Sequence, residues 1–243
     1  MGQPITSNGA IKLWHGEIVA TEAKYTDYWH ILDPFEQQHA STIENRCLHN
    51  RYVEIHARLR ILLAQTLNTK PEQLRIQKAE HGKPYLIDYP ELAFNLSHTA
   101  NQMVVAIAKN CELGVDIEQC KPRLNLAALV DKCFAEEEKN YWQQLPISQQ
   151  QLAFYQFWTR KEAFVKATGR GIALGLNRCV INPENHHELV RIPEQFGLAS
   201  DWLIWDIDLG ETVCGALVAQ NRVSKHNTEI ENNALPCVRL IDI

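Results

Sequence analysis

Gly114-Val115-Asp116-Ile117-Glu118 sets two carboxylates at alternate positions. On a strand, the period of two sends Val115 and Ile117 to one face and Asp116 with Glu118 to the other, so two acids share an open face. Neighbouring carboxylates repel unless a cation lies between them, and hard oxygen ligands of this kind suit magnesium. Taken alone, the same pattern also fits a strand whose outer face is simply solvated. A third acid lies in Phe157-Trp158-Thr159-Arg160-Lys161-Glu162-Ala163-Phe164-Val165-Lys166. There helical spacing stacks Glu162 on Lys166 as a pair and turns Phe157 and Phe164 to another face. That pair alone reads as an ordinary surface contact.

Asn95-Leu96-Ser97-His98-Thr99 offers a hydroxyl, an imidazole and backbone amides at a strand end beside a turn. Such groups can grip a phosphate or merely cap the turn. A Ser-His nucleophilic pair fits poorly, because adjacent strand residues point to opposite faces and no nucleophile elbow is present. Glu80-His81-Gly82-Lys83-Pro84-Tyr85 is a turn carrying the ammonium of Lys83, and Arg46, Arg51, Arg58 and Arg60 form a basic group. Each of these two could be no more than a solvated face.

The elements that must position these groups follow from periodicity. Ile11 to Val19 reads as an opening strand. From Thr42 to Leu67 there is no Pro or Gly, and Ile55, Leu59, Leu62 and Thr66 recur at helical spacing, which predicts a long amphipathic helix stopped by Pro71. Phe94 to His98 and Met103 to Ala108 predict two strands around a short turn, with Leu113 to Glu118 a third. Helical patterns run from Asn125 to Gln144 and from Gln149 to Thr168, with Gly169 as a C-cap. Trp202 to Ile207 and Val213 to Ala219 return to strand. Strand, helix and strands thus occur roughly twice, which suggests two similar halves meeting near residue 112. Residues 1–112 form the first half, 113–220 the second with the acids, and 221–243 a polar tail or late edge strand.

A chain of 243 residues, 45% hydrophobic and 22% charged, can bury a self-sufficient core. No apolar run spans a membrane and the start lacks the regions of a signal peptide, so the expected compartment is the cytoplasm. Seven scattered cysteines without zinc or redox spacing are read as reduced thiols. The formal net charge of −5 opposes a general nucleic-acid binder.

Gly82-Lys83-Pro84, Phe94-Asn95-Leu96-Ser97-His98, Gly114-Val115-Asp116-Ile117-Glu118, and Trp158 with Lys161-Glu162-Ala163 and Lys166 come in this order. The series resembles the 4′-phosphopantetheinyl transferases of the larger, surfactin-synthetase-activating (Sfp) type, over about residues 10 to 220. The resemblance implies an α+β fold of two similar halves, a pseudo-dimer in which each half has a small antiparallel sheet and a long helix. It further implies a monomer that moves the 4′-phosphopantetheine arm of coenzyme A onto a serine of an apo acyl or peptidyl carrier protein, releasing adenosine 3′,5′-bisphosphate.

By the same resemblance Asp116, Glu118 and Glu162 hold Mg2+, and Arg51, Lys83, Ser97 and His98 hold the nucleotide end. Lys161 and Lys166 lie by the diphosphate. Glu162, or a water it orients, is the implied base for the carrier serine, and Lys166 steadies the leaving group. One departure is His56, where many members carry a second arginine; Arg46 is an alternative to Arg51. Two rivals remain: a coenzyme A-binding scaffold for carrier proteins without catalysis, and a magnesium-dependent phosphodiesterase or nuclease, which the net charge opposes.

Overall fold

The computed structural model describes residues 11–220 and 238–242. In chain order the regular elements are β1 (Ile11–Glu17), α1 (Glu22–Trp29), α2 (Pro34–Ser41), α3 (Arg46–Leu67), β2 (Ile76–Lys78), β3 (Pro84–Leu86), β4 (Leu92–Thr99), β5 (Gln102–Lys109) and β6 (Leu113–Gln119). They continue with α4 (Leu126–Cys133), α5 (Glu136–Gln144), α6 (Ile147–Thr168), β7 (Val180–Ile181), β8 (Leu189–Arg191), β9 (Trp202–Asp206), β10 (Val213–Gln220) and β11 (Val238–Asp242). The architecture is α+β: helices on small, mainly antiparallel sheets.

Of the two larger sheets, the first has the order β11-β1-β5-β4 and the second β6-β10-β9, and β2-β3 and β7-β8 form two-stranded ribbons. All neighbours are antiparallel except β11, which runs parallel to β1 at the edge. The long helix α3 buries Ile55, Leu59, Leu62 and Leu63 against Trp14, Phe94, Met103, Val105 and Ile107 of the first sheet. Alternate residues of that sheet, Ile11, Leu13, Val104 and Ala106, pack instead on Val115, Ile117, Leu217 and Ala219 of the second. The second sheet turns its remaining face, with Ala216 and Val218, to Phe157, Phe164 and the rest of the α6 core. The order of layers is therefore α3, sheet, sheet, α6, each strand supplying two interfaces through its period of two.

The helix ends follow local chemistry. Asn45 caps α3, its side chain accepting from Leu48 N at 3.1 Å, and Asn68 closes it with a left-handed φ of 52°. Gly169 closes α6 at φ 67°, where glycine avoids the Cβ penalty. Helix α2 carries a capping box between Asp33 and Glu36, and both acids meet the fully buried guanidinium of Arg60, which pins α2 to α3.

Three expectations need amending. The third predicted strand, β6, leaves the sheet of β4 and β5 and joins β10. The helical stretch expected from Asn125 to Gln144 is interrupted at Phe134, whose extended backbone drops the ring onto Phe154 and Phe157. Short helices α1 and α2 precede the long one, whose first residue is Arg46 and not Thr42. The expected polar segment Asn221 to Asn233 lies outside the described residues. Six cysteines, 47, 111, 120, 133, 179 and 214, are free thiols, and Cys237 lies outside the described residues. Among the described residues no helix is long and apolar enough to cross a membrane.

Candidate active site at the junction of β4, β6 and α6

Strand β6 is an edge of its sheet, so its outward N–H groups need partners from elsewhere. Strand β4 supplies them through side chains. Asn95 Oδ1 accepts from Val115 N at 2.9 Å, Ser97 Oγ from Ile117 N at 3.2 Å, and Thr99 Oγ1 from Gln119 N at 3.1 Å. Three alternate residues of one strand thus cap three alternate amides of another, joining the two sheets without a backbone ladder. The polar row Asn95-x-Ser97-x-Thr99 has the period of two of a strand in the sequence itself.

On the opposite edge of this seam lies α6. Gly114 makes its approach possible: a Cβ there would stand 2.2 Å from the carbonyl oxygen of Ala163 and 2.3 Å from Ala167 N. The helix backbone rests directly on β6. As the strand period requires, Val115 and Ile117 face the sheet–sheet core, and Asp116 and Glu118 face α6, where Glu162 and Lys166 are carried.

The ammonium of Lys166 is the centre of this junction. It donates to Asp116 Oδ1 at 2.7 Å, to Ser97 Oγ at 3.1 Å and to the carbonyl of Val115 at 3.2 Å. The expected helical pair with Glu162 is thereby replaced by a helix-to-strand pair with Asp116. Asp116 is 5% exposed; its Oδ1 also accepts from Ser97, while its Oδ2 is buried with no partner. Burial raises the Glu162 carboxyl pKa, the charges of Asp116 and Glu118 raise it further, and Lys166 opposes them. Glu118 is raised by burial and by Asp116, against Arg123, Lys166 and a hydrogen bond from Trp158. Glu162 therefore feels both of the other acids. Among the described residues, however, no three or more His, Cys, Asp or Glu side chains stand in position to hold a metal ion as they are placed. The donor set still suits a hard divalent cation, being oxygen-only with one buried carboxylate oxygen unpartnered.

The remaining predicted residues divide. Arg51 and His98 come together, Nη2 to Nδ1 at 3.3 Å, on the α3 side of β4. Desolvation, then the charges of Arg51, Lys166 and His56, pull the His98 pKa down to about 4. Arg46 is committed elsewhere, gripping Glu22 through two nitrogens at 2.8 and 2.6 Å, so Arg51 is the arginine beside His98. His56 lies 3.5 Å from Glu36 and packs on the Tyr52 ring in a cavity of about 550 Å³ that Pro84, Asn95 and Leu96 also line. A second cavity of about 560 Å³ opens at Glu118, lined by Thr99, Arg123, Leu124 and Tyr155.

Three further predicted residues are engaged by the protein itself in this structure. Ser97 is 6% exposed and faces β6, while His98 faces the other way, because successive strand residues alternate; Ser97 does not share the His98 pocket. Lys161 is fully buried, 2.7 Å from Glu138 and 3.0 Å from the carbonyl of Leu176, and also donates to Cys179 O. It braces the core and does not reach the junction. Lys83 donates to Glu112 at 2.8 Å and to the Ala167 carbonyl at 2.6 Å, tying the Gly82 turn to the end of α6. Its ammonium is engaged.

Comparisons with known proteins bear on what such a junction does. A model of the 4′-phosphopantetheinyl transferase superfamily matches residues 112–218, the stretch that holds Asp116, Glu118, Glu162 and Lys166. The chain is 32% identical over 197 residues to slr0495 of Synechocystis sp., covering 78% of each. It is 32% identical over 166 residues to the 4′-phosphopantetheinyl transferase HetI of Nostoc sp., covering 67% of this chain and 70% of that one. The 4′-phosphopantetheinyl transferase AcpT of Escherichia coli is 32% identical over 158 residues, 60% of this chain and 78% of its own. The chain is a transferase enzyme. It belongs to the 4′-phosphopantetheinyl transferase superfamily.

Proposed function

We propose that the protein transfers 4′-phosphopantetheine from coenzyme A to a serine hydroxyl of an apo acyl or peptidyl carrier protein, releasing adenosine 3′,5′-bisphosphate, as a cytoplasmic, Mg2+-dependent monomer of the surfactin-synthetase-activating type. The observation that carries the reading is the meeting of Asp116, Glu118, Glu162 and Lys166 where α6 lies on β6, within the stretch matched by the family model. The two-halved plan, with 1–112 and 113–220 as similar units and 221–243 as an appendage, belongs to the same proposal. Its support is that each unit pairs three antiparallel strands, the last in sequence lying between the other two (β1-β5-β4 and β6-β10-β9), with a helix of 22 residues.

In this reading Asp116, Glu118 and Glu162 would hold magnesium, which supplies charge neutralisation to a phosphoryl group. Lys166 presents its ammonium to the diphosphate and steadies the charge that builds on the leaving bisphosphate. Glu162, or a water it orients, takes the proton of the carrier serine. Arg51 and His98 receive the phosphate at the nucleotide end, and the cavity beside Tyr52 and His56 has the volume for a nucleoside.

The test is to mix the protein with coenzyme A, Mg2+ and an apo carrier and to weigh the carrier. A gain of one phosphopantetheine supports the reading. Tight coenzyme A binding without any gain favours a scaffold, and cleavage of DNA favours a nuclease.

A further inference from the structure

Two thiols 94 positions apart in the chain meet beside Glu118. Cys120 Sγ and Cys214 Sγ stand 2.9 Å apart, and both are free thiols. The strand period explains the meeting. Asp116, Glu118 and Cys120 alternate onto the face of β6 that looks at α6, and Cys214 of β10 stands in register with Glu118. Cys120 lies one residue beyond β6, where its N–H still donates to the Thr212 carbonyl at 2.9 Å, so it is the diagonal neighbour of Cys214 on that face. Diagonal neighbours have Cα atoms about 7–8 Å apart, just beyond the span of about 4.4–6.8 Å that a disulfide bridges. A bond between these sulfurs therefore draws the end of β6 toward β10. Both thiols can be reached: Cys120 is half-buried, and Cys214, itself buried, lines a cavity of about 300 Å³ with Gln156, Asp208 and Glu211.

We infer that Cys120 and Cys214 form a dithiol switch that a hydroperoxide closes, slowing transfer until a reductant reopens it. Hydrogen peroxide oxidises the Cys120 thiol to a sulfenic acid, and its second oxygen leaves as water. The Cys214 thiol then attacks that sulfur, the S–S bond forms, and the sulfenic oxygen leaves as a second water with the Cys214 proton. Two thiols thus give two electrons to one peroxide. A neutral oxidant suits the site, because the carboxylates of Asp208 and Glu211 at the cavity disfavour an anionic one such as oxidised glutathione. The effect on transfer rests on the proposed function and runs through Glu118, two residues from Cys120. A displacement of about 1 Å in a supporting element can slow a reaction about a hundredfold.

The reduced full-length protein is treated with hydrogen peroxide, freed of it, and divided. One part is digested and mapped by mass spectrometry; the other is timed in transfer from coenzyme A to an apo carrier, before and after treatment with dithiothreitol. The Cys120 and Cys214 peptides are expected to emerge as one linked pair. Transfer is expected to fall about tenfold or more on closure and to recover on reduction. Cys120→Ser is expected to transfer at the wild-type rate and to keep that rate after peroxide. Cys214→Ser has no thiol to resolve the sulfenic acid, so dimedone should label it at Cys120.

Unlinked Cys120 and Cys214 peptides after oxidation would overturn the inference. So would a linked pair with transfer unchanged, or equal slowing in Cys120→Ser, which would place the effect on another group. A reduced protein that transfers nothing to any carrier would instead sink the proposed function, and the peptide map alone would then decide the dithiol. If Cys214→Ser does not fold, the wild-type map and Cys120→Ser decide by the same criteria.

Discussion

Arg51 Nη2 stands 3.3 Å from His98 Nδ1, two groups from α3 and β4 that share one side of the first sheet. A cation beside an imidazole discourages its protonation, and desolvation does so more strongly, hence the pKa of about 4. The folded value lies below the free one of 6.5, so the neutral ring is favoured by folding. That contribution to stability is present above 6.5 and is lost as pH falls toward 4. An arriving phosphate reverses the local field and raises the pKa. Adenosine 3′,5′-bisphosphate should therefore bind with proton uptake near pH 6, and more tightly as pH falls, measured by calorimetry in buffers of different ionisation enthalpy. His98→Ala should take up fewer protons and raise KM for coenzyme A more than it lowers kcat. Equal proton uptake in the variant would place the nucleotide elsewhere.

Gly114→Ala should be among the most damaging single changes available. Its Cβ meets α6 backbone atoms at 2.2 and 2.3 Å, which cannot move like a flexible side chain. A loss of about 3 kcal/mol or more in urea unfolding is expected, with the added separation of α6 from β6 also disabling Lys166. Wild-type stability in this variant would contradict the direct contact of helix and strand.

Lys161→Met tests whether this lysine braces the core or serves the substrate. Removing one partner of a fully buried ion pair strands the other, here Glu138, at a cost of about 3–5 kcal/mol. Stability should fall in proportion, and coenzyme A affinity of the folded fraction should hold. Loss of affinity with stability intact would return Lys161 to the binding site.

Asp116→Ala and Glu162→Ala should each reduce transfer by on the order of a hundredfold or more while the far-ultraviolet circular dichroism keeps its wild-type form. Near-normal transfer in either would remove that residue from the chemistry.

Much of this was legible because strand and helix periods are rigid. Gly114-Val115-Asp116-Ile117-Glu118 yields the faces of β6 by alternation alone, and Gly169 ends α6 where its φ of 67° demands it. What the local pattern could not convey was partnership. Lys166 lies four residues after Glu162 yet binds Asp116, fifty positions away, because α6 is pressed onto β6. The burial of Lys161 is legible in its spacing: it follows Phe157 by four and precedes Phe164 by three, so it belongs to their buried stripe. The break at Phe134 had no such mark, since the segment around it is helical in composition and only the aromatic core it enters explains the bend.

The measurement closest to the centre of the account is the mass of an apo carrier protein after incubation with the enzyme, coenzyme A and Mg2+, set beside the same mixture made with Glu162→Ala. The account predicts that wild type adds one phosphopantetheine to a single serine and that the variant adds almost none in the same time. A carrier of unchanged mass with wild type, across acyl and peptidyl carriers, would contradict it.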